Sequence, residues 1–481
     1  MLTVKGGRSR QKGELSGSGK STKLSLSQSF CEYWANVEYA DIPQSVVLLA
    51  KRHLLDTIAA SIAGADAATT QSVRSCADIT HGRSGVCSLW GGDDAASPAA
   101  AALINGTAAH AWELDDFGGC GHSGACVAPA VWAAGEVARV SGKQVILGVL
   151  AGYDLAARLL NAAGGYSPHN ERGWHSTGTC GSYGAAAGAA KVLGLGEQEY
   201  CSALGCAGTF VGGTWAFLQD GAMTKRLHPG KAAETGLVAA VMAQQGVTGP
   251  QHVLDATWGG FLNTYCGPEA SPIKFLEGLG TTFLIAGSGI KPYASCRGVH
   301  AALDAIFELK RQRTIRWQDI DRITLHLTEE NHRFVGGTSI VSTLDAQMSA
   351  PYSVAVALVT DAAGLSEYYV QNAQALELMA RIEVVSDLDI VQPGTYSAAD
   401  RTTVELRMLD GAIYRNHVEI PRGGSEFPLS QEEIVEKAKT LISPVLGERQ
   451  SDALLDFVMS LETCGDLSEA GKLITRHGSR H

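Results

Sequence analysis

The sixteen residues from His110 to Ala125 (HAWELDDFGGCGHSGA) bring carboxylates, glycines and an imidazole together. Glu113, Asp115 and Asp116 close an alanine-rich stretch, and a glycine-laden loop then carries His122. Glycines let backbone approach a ligand closely and imidazole titrates near neutrality, so the spacing suits proton donation and acceptance beside a bound substrate. The same residues also fit a solvated or capping helix end.

Four further segments carry comparable side chains. Gly173 to Thr179 (GWHSTGT), just ahead of a helical run at Gly181, sets His175 among hydroxyls and backbone amides that suit a carboxylate, or simply caps a helix. Met223 to Lys231 (MTKRLHPGK) gathers Lys225, Arg226, His228 and Lys231, either as a pocket for a polyanion or as an exposed basic loop. Ile290 to His300 (IKPYASCRGVH) places Lys291 and Arg297 around Tyr293 and Cys296, where a ligand cleft between domains is expected; Cys296 and His300 also fit the start of a buried helix. Asn331-His332-Arg333 follows a predicted strand and makes the weakest case.

Other chemistries lack their residues. No His/Cys cluster has metal-ligand spacing, no Gly-x-Ser-x-Gly elbow occurs and no dinucleotide fingerprint follows a strand. GSGKST near the N-terminus imitates a phosphate loop, but Glu14 stands where its first glycine belongs. What remains is general acid and base catalysis on an anionic substrate, with cations neutralising carboxylates and stabilising an enolate-like intermediate.

The elements that must hold these groups follow from composition and period. A chain of 481 residues exceeds one ordinary core, so two domains are expected. A net charge of −11 argues against nucleic acid and anionic membranes as partners. Eleven cysteines without paired spacing fit a reducing, cytoplasmic compartment, and no uninterrupted apolar stretch reaches the length of a membrane span. Residues 1–27 read as a basic disordered tail, with a mitochondrial transit segment as the alternative. Apolar runs at Val46–Ala63, Pro98–Trp112, Ala128–Val140, Gln144–Leu160, Gly181–Leu195, Glu197–Ala207 and Lys231–Gln245 predict an all-helical domain over 28–286. Alternation at Ile323–Leu327, Ile382–Val384 and Val404–Met408, an Asp410-Gly411 turn before Ile413–Val418, and helical runs at Cys296–Lys310 and Ala346–Asp361 predict an inserted α+β lid over 287–424. A Ser430-x-x-Glu433 capping box opens helices over 425–463 that return to the first domain, and 464–481 reads as a flexible tail. The fold class is thus mainly α.

Five ordered motifs add to this: ELDD-loop-His, Trp-His-x-x-Gly-Thr-x-Gly, Thr-Lys-x-x-His-x-Gly-x-Ala-Ala, Ile-Lys-x-Tyr-x-x-Cys and Asp-Ala-Gln-Met-Ser-x-Pro-Tyr. Together, over roughly Gln28 to Asp466, they resemble the MmgE/PrpD family, which includes 2-methylcitrate dehydratase, cis-aconitate decarboxylase and iminodisuccinate epimerase. The resemblance implies a cofactor-free homodimeric enzyme with its site between a helical domain and an α+β lid. It puts an acidic site residue at Glu113, histidines at His122 and His175, and lysines at Lys225 and Lys291. Cys296 stands where animal decarboxylases carry histidine, the FGGCG loop is shorter than its proline-containing counterparts, and His332 takes the place of a late lid tyrosine.

The expected function is a lyase, dehydratase or decarboxylase, acting on a citrate- or aconitate-type di- or tricarboxylate. In it Lys225, Lys291 and Arg297 hold carboxylates, with Tyr293, Cys296, His228 and His332 lining the site. His122 moves the proton next to a carboxylate, His175 orients or donates, and Glu113 or Asp116 sets the histidine's charge. An epimerase of a dicarboxylate and a non-catalytic ligand-binding protein are the alternatives.

Overall fold

The computed structural model describes residues 24–369, 372–386 and 401–476. Small residues set the architecture of the helical body. Gly148 and Gly152 on the Gly142–Ala162 helix face Gly188 and Gly184 on the Ser176–Val192 helix, and a Cβ added at Gly152 would lie 2.9 Å from the Gly184 carbonyl oxygen. The two backbones therefore pack closely, and helices that would be marginal alone gain their stability from contact. Gly142–Ala162 is also long and apolar enough to cross a membrane by length and composition, unlike the expectation above, yet 94% of its apolar window is buried inside the protein.

Helices start earlier than the apolar pattern suggests. Those predicted from Ala128 and Gly181 begin at Ser123 and Ser176, directly after His122 and His175. The helix predicted from Lys231 begins at Thr224 and carries Pro229 inside it, so the basic segment 223–231 is two helical turns rather than a loop. The helix opening at Pro98 stops at Ala109, and the chain turns sharply at Glu113, whose φ of 54° lies in the left-handed region. A short antiparallel pair, Cys87–Ser88 with Ala95–Ala96, interrupts the otherwise helical body.

The lid contains a four-stranded sheet in the order Ile382–Ser386, Ile320–Leu327, Thr402–Met408, Ile413–Val418. The first pair is parallel and the other two antiparallel, with Leu325 opposite both Val384 and Val404. Gly411, with φ of 89°, makes the predicted hairpin turn, and the helices His300–Gln312 and Ala350–Thr360 pack on this unit. The segments entering and leaving the lid are tied together, since Ile290 N donates to Gly423 O at 2.8 Å.

After the lid, Gln431–Leu446 and Glu448–Met459 lie against the Gln44–Gly64 helix of the body, where Arg52 Nε meets Gln431 Oε1 and Lys51 Nζ meets the Met459 carbonyl. Ser430 and Glu433 form the expected capping box. The two tails need correction. Residues 1–23 lie outside the described residues, but Ser25 caps a helix, Leu26–Asn36, that starts within the predicted tail. Leu467, Ala470 and Ile474 are buried, and Leu467 N bonds the Val140 carbonyl, so 464–476 is packed; 477–481 lie outside the described residues. Alternating small and apolar residues there were too few to register as a period.

Candidate active site

The turn after Ala109 delivers three carboxylates to three different sets of partners. Glu113 is buried with both lysines: Lys225 Nζ, in the first turn of the Thr224–Gln244 helix, pairs with Oε1, and Lys291 Nζ, at the entry to the lid, meets Oε2 at 3.4 Å and the Glu113 carbonyl at 3.0 Å. Burial alone raises a carboxyl, but Lys225 and Lys291 outweigh it and hold Glu113 well below the usual carboxylate range. Burial likewise works against the Lys291 ammonium, and Glu113 reverses it, leaving Lys291 raised. One anion between two cations leaves a net positive charge for an incoming carboxylate.

Asp115 lies between two imidazoles. His110 Nδ1 stands 2.9 Å and His122 Nδ1 3.0 Å from Asp115 Oδ2, with the rings 4.2 Å apart between centroids. Each Nδ1 therefore carries its hydrogen toward the carboxylate. The two histidines hold Asp115 below its usual range against the opposing effect of burial. Burial pushes His110 down to about 4, partly offset by Asp115. His110 Nε2 has no hydrogen-bond partner among the described residues and lies 3.8 Å from Glu113 Oε1. Asp116 sits behind the pair: its Oδ1 accepts from Gly124 N at 2.9 Å and its Oδ2 from Tyr153 Oη at 2.7 Å, while its carbonyl lies 3.0 Å from His122 Nδ1. It holds the loop rather than facing a ligand.

His122 and His175 occupy the N-cap positions of the helices Ser123–Ala138 and Ser176–Val192, and neither side chain caps its own helix. Their rings lie 6.5 Å apart. His175 Nδ1 contacts His228 Nδ1 at 2.7 Å, so one ring donates and the other accepts. Burial, with His228, His122 and Lys225 adding to it, pushes His175 well below its ordinary value; burial and Lys225 bring His228 to about 4. Both are neutral near pH 7. Gly121, with φ of 117°, brings the His122 loop against the start of the second helix, where an added Cβ would lie 2.7 Å from Thr177 Oγ1. Thr177 Oγ1 has no hydrogen-bond partner among the described residues. Two helix N-termini, two lysines and partnerless polar atoms are an arrangement chemically suited to an anion.

Of the residues expected from sequence, Glu113, His122, His175, Lys225, Lys291 and His228 come together, and half-buried Cys296 joins them within the electrostatic reach of Lys225, Glu113 and Lys291. Three do not. Arg297 donates to the carbonyls of Arg422 and Pro421 and lies over the Phe117 ring, 4.2 Å from its centroid, so it ties the lid's exit to the loop before His122. Tyr293 Oη bonds Asp304 Oδ1 at 2.6 Å inside the lid. His332 turns to Ser386 Oγ at 3.1 Å, and its neighbour Phe334 touches Trp215 instead, which in turn packs on His175. Asp116 is moved from the catalytic to the supporting residues, and Lys231 pairs with Glu234. His110 was visible at the head of the motif but had no assigned role. Arg226, one of the cations of the 223–231 segment, lies within the electrostatic reach of Glu113 and has buried Nε and Nη2 atoms without partners among the described residues.

His110, Asp115 and His122 each also offer one atom that could hold a metal ion, and these atoms all lie within 4.8 Å of one another. Their separations are those of direct N–H···O bonds, and the ammonium groups of Lys225 and Lys291 alongside oppose a dication.

Comparison with known proteins follows the same lines. The family model for the MmgE/PrpD N-terminal domain matches residues 28–273, and that for the MmgE/PrpD C-terminal domain matches 293–463. A cis-aconitate decarboxylase-like protein of Aspergillus oryzae is 30% identical, covering 94% of this chain and 97% of its own length. Cis-aconitate decarboxylase of Aspergillus terreus is 30% identical with 94% and 96% covered, and that of Homo sapiens 27% with 92% and 93% covered.

Proposed function

The chain belongs to the MmgE/PrpD family, and from that premise we propose that it is a decarboxylase of a cis-aconitate-type unsaturated tricarboxylate, working with its own side chains. The observation that carries the reading is the convergence of Lys225, Lys291, His122 and His175 around Glu113 and Asp115 where body and lid meet. The names of its relatives support a lyase of decarboxylase or dehydratase type.

In a β,γ-unsaturated acid the C–C bond to the departing carboxylate breaks, and its electron pair becomes a new double bond. The pair of the old double bond takes up a proton at its far carbon. One proton enters and one carbon dioxide leaves, so the protein must neutralise the carboxylates that stay and deliver a proton to one carbon. Lys225 and Lys291 do the first, because Glu113 neutralises only part of their charge. His122 does the second as an imidazolium: Asp115 accepts its Nδ1 hydrogen, its Nε2 hydrogen passes to the substrate carbon and is replaced from water, and at 9% exposure it is more open than Glu113, Lys225, Lys291 or His175. Neutral His175, with His228 on its Nδ1, presents Nε2 as a fixed polar contact.

The test is incubation with cis-aconitate, citrate and 2-methylcitrate in deuterated water, following carbon dioxide and product mass. Carbon dioxide release from cis-aconitate with one deuterium in the product is expected. Loss of water from the hydroxy acids without carbon dioxide, or label exchange without loss of mass, would overturn the assignment.

A further inference from the structure

A second buried network lies behind the Glu113–Asp116 segment, built from parts of the chain far apart in sequence. Lys437, on the Gln431–Leu446 helix that follows the lid, donates to the Leu114 carbonyl at 2.7 Å and to Asp56 Oδ1 at 2.5 Å. Its side chain is 11% exposed and that of Asp56 1%. One turn before Asp56 on the same helix, His53 Nδ1 lies 3.3 Å from Asp116 Oδ2, which also accepts from Tyr153. Leu114 is the residue between the two carboxylates that matter most: Glu113, held between the lysines, and Asp115, held between the histidines.

The peptide at this point needs holding. Glu113 has a left-handed backbone, which strains a residue with a Cβ and persists only when its surroundings fix it. On the site side, Lys291 grips the Glu113 carbonyl; on the far side, Lys437 grips the next carbonyl along. Two ammonium groups thus clamp consecutive carbonyls, one from the lid's entry and one from beyond its exit. Asp56 is the second oxygen on the same ammonium, and an amide oxygen in its place would still accept from Lys437, whose side chain is less deeply buried than that of Asp56.

We propose that Lys437 is a positioning residue for the reaction: by pinning the Leu114 carbonyl it sets where Glu113 and Asp115 stand, and through them Lys225 and His122. The proposal rests on the decarboxylase reading for its kinetic assay but not for its structural one.

Replacing Lys437 alone leaves Asp56 as a buried unpaired charge, so the informative variant is K437M/D56N, compared with D56N. D56N keeps the donor to Leu114 O and is expected to retain kcat within about threefold. K437M/D56N loses that donor and is expected to lose about a hundredfold in kcat, the scale of an ångström-sized misplacement of catalytic groups, with a smaller change in KM and a melting temperature close to that of D56N. Its crystal structure is expected to show Glu113 and Asp115 displaced by more than about 0.5 Å, the tolerance of a catalytic constellation. Wild-type kcat in K437M/D56N, or unmoved carboxylates in its structure, would overturn the proposal. Should the double variant fail to fold, D56N decides: a loss above tenfold at unchanged melting temperature would place the role in Asp56 and refute it. An inert wild-type protein would refute the decarboxylase reading and leave the crystallographic comparison to judge Lys437.

Discussion

Glu113→Gln removes one negative charge from between two buried ammonium groups while keeping the size of the side chain. Breaking a buried ion pair from one side costs roughly 3–5 kcal/mol, because the remaining charge has lost its partner. Lys291 keeps the Glu113 carbonyl at 3.0 Å, which the substitution leaves in place, so the lower end, about 3 kcal/mol, is expected. For a unit the size of the helical body that corresponds to a fall of roughly 6–12 °C in melting temperature without ligand. A tricarboxylate then supplies the missing negative charge, and at a hundred times its Kd contributes about 2.7 kcal/mol, nearly restoring the wild-type value. Differential scanning fluorimetry with and without cis-aconitate reads both numbers. The loss also has a pH window. Glu113 is held below its ordinary 4.5, so its contribution is fully present above that value and fades as pH falls through the lower folded one; the variant's stability curve is flatter there. A variant as stable as wild type without ligand, or ligand stabilisation equal in both proteins at one ligand concentration, would refute this charge balance.

Other outcomes follow from the same geometry. His122→Ala and Lys225→Ala should each cost at least about a hundredfold in kcat, measured as carbon dioxide release. Arg297→Met should leave KM within about threefold yet lower the melting temperature, because Arg297 holds the carbonyls of Pro421 and Arg422 rather than a substrate. His332→Ala should leave kcat and KM unchanged, since its imidazole faces Ser386. Burial lowers His110 and His228 to about 4, so between pH 6.5 and about 4 the unfolded chain binds protons that the folded one refuses; stability should fall with pH across that window, and less steeply in His228→Phe.

Local pattern was enough for much of the framework. Glu197–Ala207 and Ile413–Val418 begin and end where their period and turn residues say, and the Ser430–Glu433 capping box opens its helix as read. The starts of the helices after His122 and His175 were hidden because their first turns, Ser-Gly-Ala-Cys and Ser-Thr-Gly-Thr, have no apolar period to detect. Pro229-Gly230 looked like a break, yet packing keeps it inside a helix. Residue types alone marked Glu113, His122, His175, Lys225 and Lys291 as chemical. They could not separate Arg297 and Tyr293 from Cys296, because these three side chains and Lys291 share one short segment and only the direction of the turn after it divides lid from site. Lys437 carries no local signal, since its partners lie 323 and 381 residues away.

Because the chain crosses from body to lid and back again, the wall behind the carboxylates is completed by one of the last helices to be made. At roughly 5–20 residues per second, Lys437 emerges from a ribosome some 15–60 s after His122. In the last part of that interval, once Lys291 has been made, the nascent chain has its histidines and lysines but lacks the brace for its acidic turn, so a fragment ending with the lid would be a poor mimic of the finished protein.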